Sequence, residues 1–434
     1  MKIRIATAED AETSRLDAAY ARISWRLIPF LAALWIIAWI DRVNIGFAKL
    51  QMLDDLKLSE AAYGFGAGVF FLGYFLFETP SNLLLMRIGA RRTLARITIG
   101  WGLTSVCMMF VKTSAVFYGL RFLLGVFEAG FYPGVIFYLT CWYPAPRRAR
   151  AFGLFMSASA FAGVIGGPLA GAILTHLNGV HGLAGWQWLF LIEGTPSILA
   201  GLVTLVYLTD RPEEAHWLAD DERALVLDDL AEDRAAMGPR EHSVLRSLAD
   251  GRLWLLIAIF FCIIAANSGL TFWGPSVVRE LGVSDPASLG WIIALVYLLG
   301  GAGMILNGAS SDRARESRLH CGFAALGGAV AMAALALLIP SGSLAALLAF
   351  AVAILGTMSA IPVFWQMPNR VLSGAAAAAG VALINSIANL AGFFAPWLIG
   401  ELKTSTGALT SGLLAIAAVE AAGAVLLLTS KFMR

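Results

Sequence analysis

Two opposite charges interrupt the first long apolar segment of the chain. Asp41 and Arg42 stand side by side in AWIDRVNIGFA, residues 38–48. An ionised side chain within the hydrocarbon of a membrane costs about 2.5 to 3.5 kcal/mol on insertion scales, so such residues usually serve a function. Because neighbouring side chains on a helix point about 100° apart, we expect these two residues to find their partners on other helices.

A second pair of charges lies in GLRFLLGVFEAGFYPG, residues 119–134. Arg121 and Glu128 are seven residues apart, which places them on one helix face about 10 Å from each other. Gly125 lies between them and is expected to leave that face open. We therefore predict that Arg121 pairs with Asp41 or Glu128, and that Arg42 is left for an external anion. A purely structural salt network is the alternative.

Three further acids occur in apolar segments. Glu78 follows Tyr74 by one helical turn, and both Glu78 and Glu193 are interpreted as structural. Glu420 has no partner that the sequence reveals. The roles of these three acids stay open.

Neutral polar side chains characterise the second half of the chain. Each of them is explained singly by a hydrogen bond between helices. Together they suit a ligand with hydroxyl or ring groups, held between a charged half and a polar half. The residues are Asn267, Trp365, Asn385 and Asn389.

The pattern of reactive residues does not indicate an enzyme. No nucleophile–base pair or metal-ligand spacing occurs around the five histidines, and the four cysteines form no C-x-x-C motif. The phosphate-binding motif G-x-x-x-x-G-K-[ST] is also absent from the sequence, which argues against direct use of ATP. We expect no cofactor and no metal.

The elements that must position these charges are membrane spans. Of 434 residues, 59% are hydrophobic and only 14% are charged, whereas soluble proteins are nearer half apolar and a quarter charged. Apolar runs of about 20 residues can each cross a membrane, and we count twelve. The sequence predicts an all-α polytopic membrane protein with two six-span halves, residues 1–208 and 253–434. Residues 209–252 form a charged linker with a surface helix.

The distribution of Lys and Arg predicts the orientation. Most of the 31 such residues fall in the termini, the linker and the loops on the same side, and two lie inside spans. This bias predicts a bacterial inner-membrane protein with both termini in the cytoplasm. The loops on the opposite side are expected to hold only Lys49, Lys57, Lys112, Arg279 and Lys403.

The sequence resembles the major facilitator superfamily and, within it, the anion:cation symporter family of permeases for tartrate, hexuronates, aldonates, phthalate and other aromatic acids. The stretches that carry the resemblance are DRVNIGFA, RFLLGVFEAGFYPGVIFYLTCWYP, GWQWLFLIEG and INSIANLAGFFAPWLIG. It implies two six-helix bundles and an organic anion coupled to protons. Asp41 and Glu128 match its protonation sites, Arg42 matches its anion ligand, and Arg121 matches an ion-pair partner.

The resemblance extends to further residues. Tyr74, together with Trp365, Asn385 and Asn389, falls in stretches that resemble substrate-facing ones. Asp312 and Arg313 match the superfamily's gating turn G-x-x-x-D-R in the second half.

The equivalent turn of the first half departs from the family pattern. Met86 replaces the usual acid and leaves Arg87, Gly89 and Arg91. We therefore expect this turn to work differently or weakly as a latch.

The resemblance implies a symporter that imports a small organic anion with protons by alternating access. Its expected partners are that carboxylate, protons and the lipid bilayer, without nucleic acid, and it is expected to work as a monomer. GVIGGPLAG, residues 163–171, also resembles a signature of proton antiporters. An anion exchanger or a proton-coupled exporter on the same fold is therefore the alternative. A membrane sensor would need an output domain larger than the linker.

Overall fold

A computed structural model describes residues 8–236, 250–368 and 375–430. All regular secondary structure in these ranges is helical, and twelve helices are long and apolar enough to cross a membrane. In hydrocarbon every backbone polar group needs an internal partner, which a helix provides within a single segment. Numbered as spans one to twelve, they are Glu12–Leu56, Glu60–Ile88, Ala90–Phe110, Ser114–Trp142, Ala145–His176, Gly185–Tyr207, Gly251–Glu280, Pro286–Ala314, Arg318–Ser341, Leu344–Phe364, Gly380–Thr406 and Leu409–Thr429.

Several spans comprise more than one helix. Span one is formed by Ile45–Leu56 and all but the first residues of Ala8–Val43, and span four by Ser114–Glu128 and Phe131–Trp142. Span eleven is formed by Ala391–Thr406 and the part of Ala375–Asn389 from Gly380 onward. Spans three and nine end in the short 3₁₀ helices Met108–Phe110 and Ile339–Ser341. At Asn44 and Leu390 the backbone stays in the right-handed helical range, so spans one and eleven continue nearly straight.

Span four is broken at Ala129 and Gly130. The ψ angle of Ala129 is 128°, and Gly130 has a φ of +86°, a conformation that a side chain would strain. A Cβ at Gly130 would also meet the Ser81 side chain. The helix that carries Arg121 and Glu128 therefore ends at Glu128 itself.

Polar caps fix where several spans begin. The side chains of Ser59, Thr113, Asp285 and Ser343 accept hydrogen bonds from backbone N–H groups at the starts of spans two, four, eight and ten. Such caps satisfy donors that have no partner within the helix. All four lie on the membrane side opposite the termini, because twelve spans bring both termini to one side.

Spans five and eight, and spans two and eleven, form the broadest contacts between the two halves. Glycines permit both. Gly167 lies against the backbone of Gly290, and a Cβ on Gly64 would approach the Gly400 Cα to 3.1 Å. GVIGGPLAG is therefore a packing surface between the halves. The domain boundaries stay predictions.

The described part of the linker is docked onto span one. Its helix, Asp220–Ala236, buries Val226 and Leu230. Arg22 donates to Glu222 at 2.8 Å, and the Tyr20 hydroxyl donates to Asp229 at 2.8 Å. Linker residues 237–249 lie outside the described ranges.

A charged cluster joins the two halves on the side opposite the termini. We call Lys49, Glu60, Glu280 and Lys403 the outer cluster. Glu60 binds Lys49 at 2.7 Å and Lys403 at 2.8 Å, and Lys403 binds Glu280 at 2.7 Å. Two of these residues come from the first half and two from the second, so the cluster holds that side closed.

Lys49 is therefore not the loop residue that the sequence predicted. It is 5% exposed in the helix Ile45–Leu56, donates to Ser276 at 2.9 Å, and lies 3.6 Å from the centre of the Trp273 ring. Tyr63 strengthens the closure by donating to the Phe272 carbonyl at 2.6 Å.

Candidate functional site

Asp41 is buried between three spans and bonded to two serines. The Ser105 hydroxyl of span three donates to Asp41 Oδ1 at 2.7 Å. The Ser197 hydroxyl of span six donates to Asp41 Oδ2 at 2.5 Å. The side chain is 1% exposed, so Asp41 is fully enclosed, and its two direct hydrogen-bond partners are hydroxyl groups.

Arg42 turns the other way and binds Glu128. Its Nε donates to Glu128 Oε1 at 3.0 Å, and its Nη2 contacts the same oxygen. Glu128 is 2% exposed, whereas the Arg42 side chain keeps 15% of its surface accessible. The pair is charge-assisted and largely desolvated, which makes its hydrogen bonds stronger than neutral ones.

Aromatic rings surround the Arg42 guanidinium. Its Cζ lies 5.3 Å from the Phe70 ring centre, 5.5 Å from Trp39 and 5.8 Å from Tyr74. Rings within about 6 Å attract a cation through their quadrupoles and exclude water around it. Tyr74 thus lies beside the predicted anion ligand.

The predicted pairing of Arg121 is wrong. Arg121 is fully buried, and its Nε and Nη2 donate to the backbone carbonyls of Gly66 and Ala67 at 3.2 and 3.3 Å. The reason is the packing of span four, because Gly125 lies directly against the Phe70 backbone. The face expected to be open is therefore closed against span two, and Arg121 reaches its backbone.

The structure places the polar residues of the second half on span seven, on span eleven and, for Trp365, directly after span ten. Asn267, Trp365, Asn385 and Asn389 are all half-buried. Asn389 Nδ2 donates to the Asn385 carbonyl at 2.8 Å, and Trp365 packs edge-on against Phe260. None of these four contacts Arg42, Asp41 or Glu128 through a hydrogen bond in the described ranges.

On the side of the termini, a direct polar bond also connects the charged half to span eleven. The Ser386 hydroxyl, next to Asn385, donates to Glu78 Oε2 at 3.0 Å, and Glu78 is one turn from Tyr74. Sequence reasoning missed Ser386, Ser105 and Ser197, because a serine in an apolar span usually bonds to its own helix.

The turn between spans two and three, predicted to act as a latch, is held by an acid from elsewhere in the chain. Asp210, just after span six, accepts a hydrogen bond from the Arg91 backbone N–H at 2.7 Å. It thereby caps the start of span three, where Gly89 has a φ of +88°. Arg87 is exposed at the rim of a cavity of about 470 Å³.

The gating turn of the second half contacts span ten. Asp312 accepts a hydrogen bond from Gln366 Nε2 at 2.9 Å, and Ser311 donates to Gln366 Oε1 at 3.0 Å. Arg313 is exposed. This turn is therefore tied within its own half.

A buried acid–guanidinium site among twelve spans is characteristic of a polytopic membrane transporter. The family model of the Major Facilitator Superfamily matches residues 30–396. The chain belongs to this superfamily, and it is a transporter of small organic substrates rather than an enzyme.

Relatives match along nearly the whole chain. A metabolite transport protein of Pseudomonas putida, NicT, is 47% identical over 90% of this chain and 89% of its own. A protein of Agrobacterium vitis named as a tartrate transporter is 44% identical over 94% and 93%. A protein of Acinetobacter baumannii named as a quinolone resistance transporter is 39% identical over 93% of each chain. The first two of these relatives, together with the family model, confirm the resemblance to organic-anion permeases.

Solved structures share the fold. A bacterial homologue of the human lysosomal transporter Spinster aligns with a TM-score of 0.74 over 93% of this chain and 94% of its own, at 18% identity. The predicted all-α fold with twelve transmembrane helices is confirmed.

Proposed function

We propose that the chain imports a small organic anion together with protons, and that Arg42 binds the carboxylate. The observation that carries this proposal is the bond between Arg42 and Glu128 inside a ring of aromatic side chains. A guanidinium offers a fork of donors that matches a carboxylate and does not lose its charge. Glu128 occupies that fork in the closed site.

Substrate and Glu128 then compete for Arg42. When Glu128 takes up a proton, its charge disappears and the guanidinium becomes available to the substrate carboxylate. When Glu128 releases the proton, it binds Arg42 again and displaces the anion. Proton and anion binding are linked in this way without direct contact between them.

Asp41 is proposed as the second proton site, close to Arg42 but not bonded to it. Its serine partners hold the carboxyl group whether or not it carries a proton, because a hydroxyl can donate or accept. A proton in excess of the substrate's charge lets the membrane potential contribute about 2.3 kcal/mol per 100 mV.

The proposed substrate is a hydroxy acid or an aromatic acid, and the relatives and the second half support this choice. The relative named as a tartrate transporter favours a hydroxy acid, and Asn385 and Asn389 offer amide groups suited to hydroxyls. Trp365 and the aromatic ring around Arg42 suit an aromatic acid equally well. We further propose an inner-membrane location with cytoplasmic termini, on the distribution of Lys and Arg, and a monomer as the working unit.

Uptake into proteoliposomes tests the proposal. The probes are tartrate, a hexuronate and phthalate, offered with an acidic exterior. The wild-type protein should accumulate at least one of them. Asp41→Asn and Glu128→Gln should abolish accumulation, while at least one of them keeps substrate exchange. Undiminished proton-driven uptake by both variants contradicts the proposal.

A proton-coupled exporter or exchanger is the second candidate, because one relative is named as a quinolone resistance transporter. In the same vesicles a proton gradient would then drive efflux instead of uptake. The buried guanidinium favours an anion in either direction of transport, so the direction of net flux decides between the two candidates.

A further inference from the structure

Glu193 in span six is a buried acid that the proposed transport cycle does not use. It is 4% exposed, and neither of its carboxyl oxygens has a hydrogen-bond partner. Asn44, which is 2% exposed, lies beside Glu193 as a weak donor to it, but no hydrogen bond of normal length and angle joins the two side chains. A purely structural acid would be expected to have its hydrogen bonds satisfied, because unpartnered buried polar groups are costly.

Helical spacing places Glu193 beside Asp41. Glu193 and Ser197 are one turn apart on span six, and Ser197 donates to Asp41. Asp41 and Asn44 are likewise about one turn apart on span one. A face of span one that carries Asp41 and Asn44 therefore meets a face of span six that carries Glu193 and Ser197.

Span three packs against the place where spans one and six meet. A Cβ on Gly194 would come within 3.0 Å of the Ser105 side chain, and Ser105 donates to Asp41. Span three thus packs against the helix face beside Glu193 and also supplies a hydroxyl to Asp41.

Other charges are distant or already bound. The cations of span three, Arg91, Arg92 and Arg96, lie in its first turns, whereas Ser105 is near its end. Those of span five, Arg147, Arg148 and Arg150, likewise lie in its first turns.

Two nearer cations already have acidic partners, because Arg42 binds Glu128 and Lys49 binds Glu60. Among the described residues, Asp41 is the charged group that faces Glu193.

We propose that Glu193 and Asp41 form a carboxyl pair that holds a coupling proton, which makes Glu193 a further proton-binding residue. Two adjacent carboxylates in a dry site repel each other, so one proton bound between them relieves both the repulsion and the cost of burial. The proton can reside on either acid, and Asn44 can donate to the ionised one. This inference rests on the proposed proton coupling, in which Asp41 is a proton site.

Infrared difference spectroscopy of the reconstituted protein tests the pair without a substrate. Spectra recorded between alkaline and acidic buffer report the C=O stretch of protonated carboxyl groups. Glu193→Gln should remove one such band and shift the band that Asp41→Asn abolishes. Ser197→Ala keeps both acids and should shift the bands without removing either one.

Glu420→Gln is the matched control. Glu420 is fully buried in span twelve and accepts a hydrogen bond from Thr357 at 2.7 Å, away from Asp41. Its substitution should leave the bands of the pair unchanged. Thermal unfolding of each variant shows that the fold is retained.

Two outcomes overturn the inference. One is a Glu193→Gln spectrum in which the Asp41 band keeps its wild-type position and no band is lost. The other is displacement of the proton bands by NaCl but not by choline chloride, which would make the site one for a sodium ion. Transport is measured in a separate experiment. Absence of proton-driven uptake in the wild type would contradict the proposed function, and the spectra would still show whether Glu193 and Asp41 share a proton.

Discussion

The central site and the outer cluster both combine two acids with two cations, but they connect different parts of the molecule. In the centre, Asp41, Arg42, Arg121 and Glu128 all belong to the first half. In the outer cluster, Glu60 bonds to Lys403 across the two halves. A pair within one half can exchange partners while the halves stay together. A pair across the halves must break before that side can open.

The acids of the two groups differ in burial. Asp41 and Glu128 are at most 2% exposed, whereas the side chains of Glu60 and Glu280 are 27% and 30% exposed. Water can replace the partners of the outer cluster when it opens, which lowers the cost of breaking it. We therefore expect the central site to select the substrate. We expect the outer cluster to set the ratio of closed to open states on that side of the membrane.

Substitution of Arg42 should have the largest effect. Arg42→Lys keeps the charge but removes the fork, so we expect the affinity for the transported acid to fall by about 10- to 100-fold, from hydrogen bonds worth about 1.5 to 3 kcal/mol. Competition of unlabelled acid against labelled uptake measures it. Arg96→Lys, an exposed change in span three, should retain affinity. If Arg42→Lys bound the acid with the affinity of the wild-type protein, Arg42 would not be a substrate ligand.

Weakening of the outer cluster should have an intermediate effect. Glu60→Gln leaves Lys49 and Lys403 without their shared acid, and we expect the ratio of closed to open outer sides to fall about 5- to 30-fold, or about 1 to 2 kcal/mol. Distances between spin labels at positions 57 and 406 report the ratio.

Glu401→Gln provides the control, because Glu401 bonds to Trp397 within the same span. An unchanged distance distribution in Glu60→Gln would show that helix packing alone closes the outer side.

Loss of the Ser386 hydroxyl should have the smallest effect. Ser386→Ala removes one hydrogen bond to Glu78, worth about 0.5 to 1.5 kcal/mol, so the halves should separate about two- to tenfold more readily on the terminal side. Spin labels at positions 92 and 319 measure this separation. Ser405→Ala, whose hydroxyl bonds to its own helix, should change nothing. If both variants behave alike, the contact between Ser386 and Glu78 does not join the halves.

The sequence locates the charged residues of the centre but does not predict their partners. Asp41, Arg42 and Glu128 stand out because ionisable groups are rare in apolar spans. The choice between Arg42 and Arg121 for Glu128 depends on helix rotation, which a spacing of seven residues does not define. It also depends on the break after Glu128 and on contact between Gly125 and the Phe70 backbone, both of which result from packing.

The location of Lys49 shows a second limit. A lysine after an apolar run normally marks the end of a span, yet span one continues to Leu56. What stabilises Lys49 in the interior is Glu60 together with Ser276 and Trp273 of span seven. Contacts more than 200 residues apart in sequence leave no periodic signal. The number of spans depends on local apolar runs and was therefore predictable.

The break at Ala129 and Gly130 places two helix ends beside the central site. The electrostatic field of these helix ends does not depend on protonation. The helix that ends at Glu128 presents its partly negative end there, which stabilises the guanidinium of Arg42. The helix that begins at Phe131 presents its partly positive end, which favours an anion. One turn of backbone therefore supplies both signs of charge without another ionisable side chain. This polarity stays constant while the acids gain and lose their protons.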